Sequence, residues 1–123
     1  MKAYYEGTIQ GATPVTSPYR IVTVSNDGTV LAATAGAGNG IIEDPGGATA
    51  GDACSVVRAG PTKVYCEAAV TIDDHVTGGT SGGEAAVATS GDVKVAAVLS
   101  AAGADEFADV YVTATLGQHS AAP

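Results

Sequence analysis

Residues 54–66 read CSVVRAGPTKVYC, with the chain's two cysteines at the ends and Gly60 at the centre. How the chain passes Gly60 decides the fold, because both flanks are built to be strands. Val56, Val57, Val64 and Tyr65 favour extended backbone, while Ala59-Gly60-Pro61 holds the two residue types that punctuate strands. The segment is expected to form a β-hairpin with its tip at Ala59–Pro61. Cys54 and Cys66 would then face each other across the paired strands. They are expected to be buried, reduced core residues, as free cysteines commonly are. A disulfide would need an oxidising compartment. Neither cysteine sits in a CxxC and no paired histidines accompany them, so no zinc pattern arises.

Outward from this stretch the dominant signal is period-two alternation between glycine-rich turns. Val64, Cys66, Ala68, Val70 and Ile72 fall on one face, and Lys63, Tyr65, Glu67 and Thr71 on the other. RIVTVSNDGTVLAAT at 20–34 reads as two strands around Asn26-Asp27-Gly28, a tight-turn signal. DVKVAAVLSA at 92–101 and ADVYVTATLG at 108–117 supply a last pair, in which Val110, Val112, Ala114 and Leu116 alternate with Asp109, Tyr111, Thr113 and Thr115, and GADEFAD at 103–109 could hold one helical turn. GIIEDPGGATAGDACSVVRAG at 40–60 lies without gaps on AVLSAAGADEFADVYVTATLG at 97–117, matching Gly46 to Gly103, Asp52 to Asp109 and Gly60 to Gly117. That repeat implies two similar hairpin units facing each other across one core. The expected fold is all-β: a small single-domain β-sandwich or barrel of short antiparallel strands, with an extended N-terminal arm. The arm is placed at 1–17, the β-domain at 18–117 and a C-terminal tail at 118–123, with His119 solvated in the tail.

Composition narrows the function. The apolar share of 46% is built from Ala and Val, with one Phe, one Met and no Trp. Small side chains bury little area each, so the core is thin and association would add what it lacks. Five basic residues against thirteen acidic ones give a net charge of −8. Lys2, Arg20, Arg58, Lys63 and Lys94 are scattered, which leaves no stripe to track phosphates, so no nucleic-acid partner is expected. No window approaches the roughly 20 apolar residues of a membrane span, so no membrane association is expected either. MKAYYEGT lacks the apolar core of a signal peptide, and synthesis and use in a cytoplasm are expected.

Residues 71–79, TIDDHVTGG, place Asp73 and Asp74 beside His75, an arrangement that could serve a metal or proton transfer. The rest of an active constellation is missing. His75 and His119 are the two histidines, and no GxSxG elbow accompanies either. Asp73, Asp74 and Glu84 lie near a glycine-rich loop, but no DxDxDG calcium pattern occurs. GAGNG at 36–40 precedes an apolar strand where a dinucleotide fingerprint needs a helix. The chain is therefore expected to be no enzyme and to carry no cofactor and no metal. Asp73-Asp74 is read as a β-corner, with His75 turned to solvent.

The first twenty residues carry Tyr4, Tyr5 and Tyr19, together with Pro14 and Pro18, and suit a long internal strand poorly. They read either as a frayed terminus or as an arm that orders on a partner through aromatic anchors. On the second reading Tyr4, Tyr5, Pro14, Pro18, Tyr19 and Arg20 are the candidate contacts.

An extended start is followed by NDGTVLAATAG at 26–36, GIIEDPGGATAGDACSVVRAG at 40–60, AAVTIDDHVTGG at 68–79 and VKVAAVLSAAGADEFADVYVT at 93–113. This order resembles the capsid cement, or head decoration, proteins of tailed bacteriophages. Two positions depart from the family's pattern: its Gly-Asp step is Asp73-Asp74 here, and the Gly before its last strand pair is Ala97. The resemblance implies a non-catalytic structural protein of the virion, assembled in the host cytoplasm. It would sit on the outer capsid surface, bridge the major capsid protein lattice and stabilise it. It also implies a homo-oligomer, commonly a trimer with dimers known, whose arm at residues 1–20 contributes contacts. Two other readings stand beside it. One is a surface binding module for carbohydrate or host adhesion, or the base of a fibre; the other is a small tail-tube or head-completion protein. A carbohydrate platform needs clustered exposed aromatics, and three of five tyrosines in the first twenty residues lean away from one.

Overall fold

A computed structural model describes residues 3–9, 17–24, 29–44 and 53–113, with backbone alone at 3–9, 29, 31, 44 and 53. The described elements are all strands: β1 (Ala3–Ile9), β2 (Arg20–Val24), β3 (Thr29–Ala32), β4 (Gly40–Asp44), β5 (Ala53–Cys66), β6 (His75–Gly78), β7 (Ala85–Val87), β8 (Ala96–Val98) and β9 (Glu106–Val112). The all-β expectation holds. The expected helical turn at 103–109 is instead a tight turn leading into β9.

CSVVRAGPTKVYC is not a hairpin. It lies within β5, one strand of 14 residues that runs through Gly60 without reversing. Each half of β5 has its own partners, and these outcompete pairing between the halves. Residues before Gly60 pair with β1 and β4; those from Gly60 onward pair with β9, from Gly60↔Val112 to Cys66↔Glu106. Gly60 has φ +113, a conformation L side chains rarely adopt, and it lets the strand redirect where it changes partners. Pro61 is tolerated by parity. The N–H of Tyr65 donates to the Tyr19 carbonyl, away from β9, so Pro61 on the same parity lacks its donor on that edge. Cys54 and Cys66 are therefore not neighbours: twelve steps of extended chain separate them by about 30–40 Å. Both are buried thiols outside any disulfide, and burial pushes the Cys66 thiol above its ordinary range.

The pairings close two five-stranded rings that share β5. The first is β1-β3-β2-β4-β5 and back to β1; the second is β5-β7-β6-β8-β9 and back to β5. Numbered within each ring, both follow the order first, third, second, fourth, fifth. In both, the first and third strands are parallel (β1 with β3, β5 with β7) and the other pairs antiparallel. The repeat seen in the sequence is thus a repeat of whole rings, not of two hairpins. The ungapped alignment matches β4 to β8 but slips on the next strand. Ile41 pairs with Val57 and Val98 with Val110, whereas the alignment sets Val57 on Ala114.

The expected single core is two clusters. Val22, Val24, Val30, Ile42, Cys54 and Val56 fill the first ring. The second cluster combines Val64, Cys66, Val76, Ala85, Val95, Ala96, Val110 and Val112 with Ile21, Ile41 and Val57 from the first ring's wall. The doublets Ile21-Val22, Ile41-Ile42 and Val56-Val57 break the alternation because β2, β4 and β5 are buried on both faces there. Gly78 lies where the halves meet: a Cβ there would come within 2.6 Å of the Thr34 carbonyl oxygen. Residues 3–9, expected within an extended N-terminal arm, either frayed or ordered on a partner, are a strand of the chain's own first ring. Tyr4 pairs with Val57 and Tyr5 with Val56.

Candidate interaction surface

The outward face of β5 and β9 carries three cross-strand pairs: Pro61↔Tyr111, Lys63↔Asp109 and Tyr65↔Phe107. Their neighbours Thr62, Val64, Ala108, Val110 and Val112 point inward and are buried, so strict alternation sends the aromatic and charged residues out. Among the described residues, five large hydrophobics are exposed. Phe107 (50%) and Tyr111 (45%) lie on this face, and Leu99 (52%) borders it.

Residues ahead of β2 complete the cluster. Tyr19 has φ 63, unusual for a bulky residue, and its backbone is held on both sides. Its N–H donates to the Ile42 carbonyl, and its carbonyl accepts from the Tyr65 N–H at 2.9 Å. The Tyr19 and Phe107 rings meet edge to face at 5.7 Å, and Tyr65 meets Phe107 at 5.2 Å. The Arg20 guanidinium lies 4.3 Å above the Tyr65 ring and donates to the Pro18 carbonyl at 2.8 Å. The Tyr65 hydroxyl donates to Asp105 at 3.3 Å. Partial burial, and then the Asp105 carboxylate, push that hydroxyl above its ordinary range. Beside the cluster is an open depression of about 510 Å³, lined by Tyr19, Pro61, Leu99 and Val110, with Lys63, Asp109 and Glu43 at its polar edge. Glu43 accepts the Thr62 hydroxyl. Flat apolar rings framed by both signs of charge suit recognition of another surface.

Of the six expected contacts, Pro18, Tyr19 and Arg20 come together here. Tyr4 and Tyr5 lie in β1, where only the backbone is described, and Pro14 lies outside the described residues. Tyr65, Phe107, Tyr111 and Leu99 were not foreseen as contacts. Alternation put Tyr65 and Tyr111 on outward faces, but bringing them together needs the pairing of β5 with β9.

TIDDHVTGG forms the expected corner. The Asp74 carboxylate accepts the Thr71 N–H at 2.9 Å and the Thr71 hydroxyl at 3.1 Å, and the Asp74 N–H donates to the Thr71 carbonyl. Thr89 and Asp92 repeat these bonds at 2.9 and 3.1 Å. The third residue of each turn is left-handed: Asp73 at φ 78 and Gly91 at φ 94. Asp73 therefore occupies a glycine-favouring position. His75 is half-buried rather than turned fully to solvent, and its carbonyl accepts the Ala88 N–H. GAGNG also has a structural use. The Asn39 side chain accepts the Val24 N–H at 2.8 Å and donates to the Val24 carbonyl at 3.1 Å, extending the sheet by one false residue. Among the described residues, no three His, Cys, Asp or Glu side chains are grouped to hold a metal ion.

No protein-family model matches the sequence, and no curated protein does. Among solved structures, the N base of head fiber gp8.5 of bacteriophage phi29 is similar in fold. The TM-score is 0.61 at 15% identity, covering 97% of this chain and 100% of that one.

Proposed function

We propose, from this likeness of fold, that the chain is a non-enzymatic structural module of a phage head, seated on the outer surface of the major capsid lattice and stabilising it. The observation that carries the reading is the extent of the match. The fold of a phage head-fiber base is shared over 97% of the chain, both rings included. A repeating lattice suits a module of this kind, because many weak contacts sum through multivalency without a deep site. A base for a fibre is the second reading, favoured by the same match and by the exposed rings of Phe107 and Tyr111.

Co-sedimentation tests the proposal. Purified full-length protein is pelleted with empty heads assembled from the major capsid protein of the same genome. Saturable binding at a fixed ratio to the capsid subunit is the expected result; no binding overturns the reading. Arg20→Ala and Tyr19→Ala then ask whether the candidate contacts take part. Truncating residues 1–17 is the poorer test, because it removes a strand of the first ring.

A further inference from the structure

We propose that the outward face of β5 and β9 is a twofold self-association surface whose partner is a second copy of this chain. The inference is independent of the phage reading and follows from register and charge. Lys63 and Asp109 form the middle pair of the ladder, with Tyr65↔Phe107 on one side and Pro61↔Tyr111 on the other. A dyad lying between two such faces, parallel to the strands, lays β5 of one copy over β9 of the other. Lys63 then meets Asp109 of the second copy and Pro61 meets Tyr111, while Phe107 faces the end of the strip where Arg20 covers Tyr65, and every contact occurs twice.

A dyad running across the strands would instead stack Lys63 on Lys63 and Asp109 on Asp109, so charge selects the first arrangement. Packed sheets cross at about 30° because each is twisted. The middle pair, lying nearest the axis, is moved least by that rotation. On a chain of net charge −8, copies repel in general, and this strip offers both signs in self-complementary order. The rings are also positioned in advance. Phe107 is held edge-on by Tyr19 and Tyr65, so its ordering is largely complete before contact.

Sedimentation velocity of the full chain over a range of concentrations tests this without any capsid. The wild-type protein is expected to pass from monomer to dimer. Lys63→Asp and Asp109→Lys should each weaken the dimer about tenfold or more, because each makes the middle pair of the ladder carry one sign of charge. An equimolar mixture of the two variants should form a heterodimer, since every facing pair is then opposite in charge. Both variants place like charges across the same ladder within the chain, so that cost does not account for recovery on mixing. Phe107→Ala changes no charge and should also weaken the dimer, with thermal melts confirming that each variant is folded. A wild type that stays monomeric or forms trimers overturns the proposal. So does a mixture that fails to associate, or a dimer untouched by all three substitutions.

Discussion

At the scale of single residues, the paired turns at 71–74 and 89–92 make a comparison within one chain. Both close with an aspartate that accepts two bonds from the threonine three residues earlier, and both need a left-handed third residue. Gly91 adopts it freely. Asp73 bears steric strain between its Cβ and the backbone, on the order of 1 kcal/mol. Asp73→Gly is therefore expected to stabilise the fold by about 0.5 kcal/mol, the glycine's extra freedom when unfolded offsetting part of the relief. Urea melts of the two proteins measure it; a destabilised variant would show that the Asp73 side chain has a further partner.

At the scale of elements, β5 is the strand on which the architecture depends. It closes both rings and changes partners at Gly60, whose φ of +113 is adopted without strain by glycine and not by a residue with a Cβ. Gly60→Ala should lower stability by about 1–3 kcal/mol, read as a shift in the urea midpoint with the slope unchanged. A neutral outcome would mean that the strand can redirect elsewhere.

At the scale of the whole molecule, the shared strand and shared cluster couple the halves. Ile21, Ile41 and Val57 belong to the first ring but pack in the second cluster, so the second half lacks a complete core without the first, and the first would expose these three side chains without the second. Unfolding should be a single transition with coincident circular dichroism and tyrosine fluorescence. Deletion of residues 1–17, which opens the first ring by removing β1, should abolish that transition for the entire chain. Two separated transitions, or a deletion variant that melts like the full chain, would show that the rings are independent.

Local pattern in the sequence determined the all-β class, the placement of β2 and β3, the outward position of Tyr65 and Tyr111, and the Asp74 corner. These features follow from alternation and from hydrogen bonds made within a few residues. The doublets at 21–22, 41–42 and 56–57 also recorded burial on two faces, though alternation alone passes over them. Only the tertiary structure decided that β5 continues through Gly60 without reversing, that residues 3–9 pair within their own chain, and that Tyr19, Tyr65 and Phe107 share one surface. A glycine and a proline permit a reversal but do not compel one. The outcome rests on which distant strands compete for the same backbone hydrogen bonds, and here β1, β4 and β9 together outweigh a hairpin of β5 with itself.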